Sequence, residues 1–216
     1  MRGVVHHLST GLFGRSLALP DFPVQKQIVG TGLSDWDGYA HLLASKFSYV
    51  NTFFHQEPQL DIVRPGSSLF YKHDFLISTE VFEHIPPPVN RAFHGAFRLL
   101  KPGGLLVLTV PFQNVPLTVE HFPHLYEWKL VEFLGTYVVV NRTKSGAFEV
   151  HSKLTFHGGP GTTLEMRIFS RQDTIDLLKE AGFADIQVHG GTVPEWGIYP
   201  PHEWGLPITA RKPPLR

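Results

Sequence analysis

The sequence of 216 residues contains no cysteine, carries no net charge and has no long apolar run. Without cysteine, disulfides, zinc–thiolate centres and thiol nucleophiles are all excluded. Basic and acidic residues both number 19, so the chain lacks the basic excess that is typical of nucleic-acid-binding proteins. No segment approaches the ~18 uninterrupted apolar residues of a membrane span, and none resembles a signal peptide. We therefore expect a cytoplasmic protein with neither nucleic-acid nor membrane partners.

Glycine and proline are abundant instead, with 20 and 18 residues, and they predict long, stiff loops. Hydrophobic residues make up 42% of the chain and charged residues 18%, which excludes disorder driven by charge. The length favours one domain. We predict a single domain over 1–216, with a lead-in at 1–27, an inserted substrate or lid region at 113–165 and an aromatic tail at 191–216. A homodimer is compatible with the sequence, which does not fix the oligomeric state.

Apolar runs alternate with amphipathic segments along the first half of the chain. The predicted strands are 28–33, 49–54, 74–77 and 105–110. The first of them ends in a glycine turn, and the spacing of Ser34 and Asp37 predicts a capping box for the helix that follows. Apolar residues at helical spacing predict a second helix over 89–100. This alternation predicts a doubly wound, mostly parallel α/β sheet of the Rossmann type.

The second half of the chain departs from this alternation. Segments 137–141 and 147–150 flank a turn at 144–146 and predict an inserted β-hairpin. Ser170 and Asp173 repeat the capping-box spacing ahead of another helix. A late strand is predicted at 186–188, and 206–210 is predicted to be an edge strand, where proline is tolerated.

Two motifs lie on neighbouring predicted strands. The first is the run 74–85, an apolar strand that leads to Glu83-His84, and the second is 97–111, in which Lys101-Pro102-Gly103-Gly104 precedes an apolar strand. Together with the later run 181–183 (Ala-Gly-Phe), they resemble class I S-adenosylmethionine-dependent methyltransferases of the type 11 domain group. The resemblance covers roughly residues 28–112 and 168–190.

The resemblance implies S-adenosylmethionine as the cofactor and assigns residues to it. The methionine and ribose would lie against the turn after the first strand, and the ribose hydroxyls would face the end of the second strand. The adenine would lie near Asp61-Ile62, and the end of the third strand would lie near the methionine part. The implied cofactor-binding residues are Gly30, Gly32, Asp35, Asn51, Asp61, Ile62, Ser78 and Glu80. Glycine lets a backbone approach a ligand closely, and a carboxylate accepts from an exocyclic amine.

The chain differs from the family pattern at two places, the glycine segment and the end of the second strand. The family has an acidic residue ahead of a Gly-x-Gly-x-Gly run, whereas Val29 precedes a run with two glycines here. The family also has an acidic residue at the end of the second strand, where this chain has Asn51, and Asp35 is placed to substitute for the first missing acid. A binding or scaffold module that has lost the cofactor is therefore the alternative function. A reductase is a third class, but the chain lacks the full dinucleotide fingerprint.

Methyl transfer from a sulfonium requires the acceptor atom to be held in line with the methyl group, with water excluded. An oxygen or nitrogen acceptor also needs a base, for which His84, His157 and Glu165, together with His121, are the candidates. The structural alternatives are hydrogen bonds that anchor the loop for Glu83-His84, a surface loop for 121–124 and a plain turn for 157–161. His121 and His124 have the spacing of a metal pair but no third ligand nearby in sequence, so no metal is expected. We predict O- or N-methylation of a small-molecule acceptor.

Overall fold

The computed structural model describes residues 1–113, 115–200 and 205–214. Over these ranges the helices are α1 (Arg2–Phe13), α2 (Asp37–Lys46), α3 (Asn90–Leu99) and α4 (Arg171–Glu180). The strands are β1 (Val29–Leu33), β2 (Ser48–Thr52), β3 (His73–Thr79), β4 (Leu100–Thr109), β5 (Phe112–Gln113), β6 (Val119–Glu120), β7 (Glu127–Phe133), β8 (Thr136–Arg142), β9 (Phe148–His151), β10 (Phe156–His157), β11 (Thr163–Leu164), β12 (Arg167–Ser170), β13 (Ala184–Val188) and β14 (Ile208–Arg211). Of the predicted tail, 201–204 and 215–216 lie outside the described residues. No helix in the described ranges is long and apolar enough to cross a membrane.

The central sheet has six strands in the order β13-β14-β4-β3-β1-β2, which confirms the predicted doubly wound fold. Strands β1 to β4 are parallel to one another, and β14 runs antiparallel to β4. The chain moves outward from β1 to β2 and then returns to β3 on the other side of β1. This reversal of strand order lies between β1 and β3, and ligands of such sheets bind there, beyond the carboxyl ends of the strands.

Helices cover both faces of the sheet, since successive residues of a strand point to opposite sides. In β3, Phe75 and Ile77 pack with α1 and α2, whereas Leu76 packs with α3 and α4. Helix α3 buries Ala92, Phe93, Ala96 and Leu99, which confirms the helical spacing read from the sequence. Each large apolar side chain buried in these layers stabilises the fold by roughly 1.5–3 kcal/mol.

The two glycines of the first strand lie inside β1 and do not form the predicted turn. A Cβ at Gly30 would lie 2.1 Å from the ring of Phe75, and a Cβ at Gly32 would lie 2.1 Å from both Asp35 Oδ2 and Tyr49 Oη. The chain's own packing therefore requires both glycines. The turn after β1 begins at Ser34, which has a φ of 55°.

Two further sequence predictions need correction, and one cap is confirmed. Helix α2 has Trp36 as its N-cap without a side-chain cap, so the capping box at Ser34 and Asp37 was wrong. Helix α4 does carry its predicted cap, because the Ser170 side chain accepts from the Asp173 amide. Strand β14 is not an edge strand: it lies between β13 and β4, so part of the predicted tail belongs to the central sheet.

The inserted region contains the predicted hairpin together with a third strand. Strands β8 and β9 flank the turn at 144–146, and β7 pairs antiparallel with β8. A small separate core of Phe122, Val139, Leu164 and Met166 lies beneath them. Strand β12 pairs with β5 and β6, which brings the return segment of the insertion back beside the central sheet.

Replacement of Gly30 by alanine tests the packing of β1. We expect Gly30→Ala to lower the free energy of unfolding by about 1–3 kcal/mol, because the new methyl group overlaps the Phe75 ring. Urea unfolding followed by circular dichroism measures the change. The matched control is Gly191→Ala, where nothing lies within 4 Å of the new Cβ, and Phe75→Leu added to Gly30→Ala should recover part of the loss. Equal stability of the two alanine variants would contradict the assignment.

Candidate active site

The loop between β1 and α2 is clamped to the end of β2. Asn51 Oδ1 accepts from the Asp35 amide at 2.8 Å, and Asn51 Nδ2 donates to the Asp35 carbonyl at 2.8 Å. The Ser34 amide adds a bond to the Thr52 carbonyl at 2.7 Å. The side chain that the resemblance assigned to ribose hydroxyls thus makes two backbone contacts within the protein, and these fix the shape of the loop.

The carboxylate of Asp35 is buried in the same loop, with 3% of the residue exposed. It accepts hydrogen bonds of 2.5 Å from the hydroxyls of Tyr39 and Tyr49. Burial raises the pKa of Asp35 to about 6, although hydrogen bonds from Tyr39, Tyr49 and Thr79 partly offset the effect. Both carboxylate oxygens are therefore engaged inside the protein.

Asp61 and Ile62 lie in the segment after β2. Asp61 Oδ1 accepts from the Val63 amide at 2.9 Å, and Ile62 is buried. Gly95 of α3 allows this segment to lie directly on the helix, since a Cβ there would come within 1.8 Å of the Ile62 carbonyl oxygen. The close contact fixes the Asp61 backbone while its side chain stays partly exposed.

The carboxyl end of β3 carries Ser78 and Glu80. Ser78 pairs in register with Leu33 of β1, and its fully buried hydroxyl has no hydrogen-bond partner among the described residues. Glu80 is exposed and has a φ of 53°. The structure thus brings Asp35, Asn51 and these two residues to one edge of the sheet, whereas Gly30 lies at the second position of β1, away from that edge.

A cavity of ≈ 290 Å³ lies beside the loop after β1. Its walls come from α1, from the lead-in, from the start of α2 and from the tail; they include Arg2, Leu17, Trp36, Tyr39 and Trp196. The lead-in at 1–27 was not predicted to contribute to a site. Its apolar residues were visible, but nothing in their spacing indicated that α1 would pack beside the first loop.

Five side chains meet beside the short 3₁₀ turn (82–84) that follows β3. His84 Nε2 lies 3.4 Å from Glu83 Oε1, and His157 Nδ1 lies 3.9 Å from the same oxygen. Glu165 then joins two histidines, since Oε2 lies 3.1 Å from His157 Nε2 and Oε1 lies 2.8 Å from His121 Nε2. The structure brings together the predicted candidates His84, His121, His157 and Glu165, and adds Glu83.

Glu83 is the most deeply buried member of this cluster, with 0% exposed. Neither of its carboxylate oxygens has a hydrogen-bond partner among the described side chains and backbone groups. Burial raises the pKa of Glu83 to about 8; its own backbone amide and the Arg167 charge oppose the shift, whereas repulsion from Glu80 and Glu165 adds to it. Burial also lowers the pKa of His84.

The return segment of the insertion is bound to this turn by a buried arginine. Arg167, which has 0% exposed, donates from Nη1 to the Phe82 carbonyl at 2.8 Å and from Nε to Glu120 Oε1 at 2.7 Å. The Met166 amide donates to the Glu83 carbonyl at 2.8 Å. Sequence reasoning missed Arg167, although a lone charge within the apolar run 166–169 was a visible signal.

The family described as Methyltransferase domain matches residues 17–188 of the chain. Among solved structures, the CurJ carbon methyltransferase is 14% identical, with a TM-score of 0.56; the match covers 99% of this chain and 54% of that chain, so this chain spans about half its length. A Burkholderia thailandensis 1,6-didemethyltoxoflavin-N1-methyltransferase, bound to its substrate and S-adenosylhomocysteine, is 14% identical (TM-score 0.51; 98% and 76% covered).

The amino pentose methyltransferase CalS10 from Micromonospora echinaspora, bound to S-adenosylmethionine, is 13% identical, with a TM-score of 0.52 and coverage of 97% of this chain and 88% of that chain. At such identities these likenesses show the fold. No curated protein matches the chain by sequence.

The buried Asp35 predicts a defined dependence of stability on pH. Because its pKa is about 6 in the folded chain against an ordinary 3.8, the folded state binds this proton more tightly than the unfolded state. The resulting stabilisation is complete below pH ~4 and is lost as the pH rises through about 6. A shift of about two units corresponds to roughly 3 kcal/mol.

Urea unfolding of the native chain and of Asp35→Asn between pH ~4 and ~7.5 tests this. The native chain should lose stability relative to Asp35→Asn as the pH rises, whereas Asp21→Asn, which removes an exposed carboxylate, should show no such trend. A constant difference between the native chain and Asp35→Asn across this range would refute the raised pKa.

Proposed function

Because the chain belongs to the methyltransferase domain family, we propose that it transfers the methyl group of S-adenosylmethionine to an oxygen or nitrogen atom of a small-molecule acceptor. The observation that carries the proposal is the set of polar groups at the carboxyl ends of β1, β2 and β3, beside the reversal of strand order. That is the position at which doubly wound sheets bind nucleotide-like ligands.

The residues at this edge fit the cofactor in part. The buried Ser78 hydroxyl lacks a partner among the described residues, and such a group is normally satisfied by a ligand or by water. Asp61 uses Oδ1 for the Val63 amide, which leaves Oδ2 for the amine of the adenine. We assign the methionine end to Ser78 and Glu80 and the adenine to Asp61 and Ile62.

Other implied contacts are reassigned. The space beside Gly30 and Gly32 is filled by protein side chains, and the carboxylate of Asp35 accepts from two tyrosines. We therefore assign contact with the cofactor to the backbone of the loop that starts at Ser34. Asn51 shapes that loop from the end of β2.

S-adenosylmethionine supplies an electrophilic methyl group when bound. The chain's own task is to hold the acceptor atom in line with that group, to exclude water and to accept the acceptor's proton. His84 lies on the turn after β3, the insertion brings His157 and Glu165 beside it, and these three side chains supply the proton-accepting groups. Glu165 orients the His157 ring through Nε2, as a third group orients a catalytic base.

The cavity beside the first loop supports a small acceptor. Its volume of ≈ 290 Å³ suits a compact ring, and the aromatic side chains of Trp36, Tyr39 and Trp196 in its wall provide flat apolar surfaces. The similar proteins named above include one that acts on an amino pentose and one crystallised with 1,6-didemethyltoxoflavin. We propose an acceptor of that size.

Calorimetric titration of the purified chain with S-adenosylmethionine and S-adenosylhomocysteine tests the function, with NADH as the control ligand. One-site saturable binding of the two sulfur ligands alone is expected. The absence of binding at millimolar ligand would overturn the enzyme proposal and favour the non-catalytic binding module.

We also expect Asp61→Asn to weaken S-adenosylhomocysteine binding about 5- to 10-fold. Asparagine retains an acceptor for the Val63 amide but replaces a carboxylate oxygen with an amide nitrogen, which cannot accept from the adenine amine. Calorimetry measures the loss. Asp185→Asn, which removes an exposed carboxylate from β13, should bind like the native chain, and equal affinities of both variants would refute the role of Asp61.

A further inference from the structure

Three donor atoms converge where the insertion meets the turn after β3. One possible ligand atom from each of Glu83, His84 and His157 lies within 4.8 Å of the other two. Metal bonds of ~2.0–2.2 Å place two tetrahedral ligands roughly 3.4 Å apart. Glu83 and His84 already have that separation, and His157 is 3.9 Å from Glu83. We propose that Glu83, His84 and His157 bind a divalent transition-metal cation.

The outer nitrogens of both histidines support this assignment. His84 Nδ1 lies 2.9 Å from the Leu164 carbonyl oxygen, which can only accept, so the proton is on Nδ1 and the Nε2 lone pair faces Glu83. His157 Nε2 lies 3.1 Å from Glu165 Oε2, which leaves Nδ1 free toward Glu83 in the same way. Metal-binding histidines almost always donate their other N–H to a carbonyl or a carboxylate.

The buried carboxyl of Glu83 gives a second, independent indication. It is fully buried and has no hydrogen-bond partner in the described part of the chain. The nearby guanidinium of Arg167 donates from Nε to Glu120 and from Nη1 to the Phe82 carbonyl, and its buried Nη2 makes no hydrogen bond to Glu83 or to any other described residue. A buried carboxylate without a partner is costly, and a cation held by its oxygen offsets that cost.

The donor set defines the class of cation. Two imidazole nitrogens and one carboxylate oxygen suit Zn²⁺, Mn²⁺, Fe²⁺ or Co²⁺ better than Mg²⁺ or Ca²⁺, which prefer oxygen ligands throughout. Three protein ligands leave a coordination position for water or for a substrate atom. Occupation of that position by the methyl acceptor would rest on the proposed function, whereas metal binding itself does not. With the cation bound, both nitrogens of His84 and His157 are in use, so of these two histidines and Glu165 only Glu165 accepts the acceptor's proton.

The proposed metal site differs from the expectation, drawn from the sequence, that no metal binds. The two histidines with metal-pair spacing, His121 and His124, are not among the proposed ligands: His121 contacts Glu165, which is not a ligand either. The ligand set joins a turn after β3 to a strand of the insertion, a contact that spacing in the sequence does not indicate.

Titration of the chain without a histidine tag, stripped of metal, tests the proposal. We expect one equivalent of Zn²⁺ or Mn²⁺ to bind with micromolar or tighter affinity, and Mg²⁺ to bind at least 10-fold more weakly. His157→Ala and Glu83→Gln should each weaken Zn²⁺ binding at least 10-fold. His124→Ala, which removes an exposed histidine from the insertion, should leave it unchanged.

Circular dichroism establishes that each variant is folded, and the partly exposed His157 makes its variant the decisive one if Glu83→Gln does not fold. Unchanged affinity in folded His157→Ala would overturn the site. Loss of binding in His189→Ala instead would also overturn it, since the His7 and His189 rings stack elsewhere, with centroids 3.6 Å apart. Titration of the same samples with S-adenosylhomocysteine separates the two proposals. A native chain that binds S-adenosylhomocysteine but no metal refutes the metal site alone. A native chain that binds metal but not S-adenosylhomocysteine refutes the methyltransferase function alone.

Discussion

The buried guanidinium of Arg167 joins the two parts of the chain that form the histidine–glutamate cluster. Through Nη1 it holds the carbonyl of Phe82, and through Nε it holds Glu120 at the start of the insertion. The Arg167 side chain is fully buried and that of Glu120 is partly exposed, so loss of Glu120 would leave a buried charge without its ion-pair partner. The position of His157 and Glu165 relative to Glu83 therefore depends on this contact, together with the backbone bond from Met166 to Glu83.

The other half of the candidate site is built from the central sheet alone. Parallel pairing places Asn51 and Ser78 on either side of the end of β1, and the clamp from Asn51 to Asp35 fixes the loop between them. The sheet thus positions the groups assigned to the cofactor, and the insertion positions His157 and Glu165, two of the groups assigned to proton transfer. The two sets meet at the carboxyl end of β3, where Ser78 and Glu83 are five residues apart in the chain.

Local sequence patterns were sufficient to predict most of the fold. The buried stripe of α3, the continuous apolar run of β4 and the cap at Ser170 depend on neighbours within one or two turns, and all three are seen. The role of Gly30 was misread because it depends on Phe75, a residue from another strand. Strand β14 was misplaced for the same reason, since proline near a short apolar run does not reveal that β13 lies outside it.

The candidate site depends even more on contacts between residues that are distant in the sequence, which local patterns do not predict. His84, His157 and Glu165 were identified as chemically capable residues, but their proximity depends on the docking of the insertion, and their roles remain predictions. Glu83 was read together with His84 as a loop anchor, and only its burial separates it from an ordinary surface carboxylate.

Comparison of two buried carboxyl groups, Asp35 and Glu83, indicates which of them lacks a binding partner. Asp35 and Glu83 both follow strands of the parallel sheet, and burial raises the pKa of each. Asp35 accepts from two tyrosine hydroxyls, so its place in the fold is complete without any further group. Glu83 has two oxygens without hydrogen-bond partners in the described residues and faces two imidazole nitrogens that present lone pairs. Three acceptors directed at one point repel one another unless a proton or a cation lies between them, and a cation satisfies all three at once.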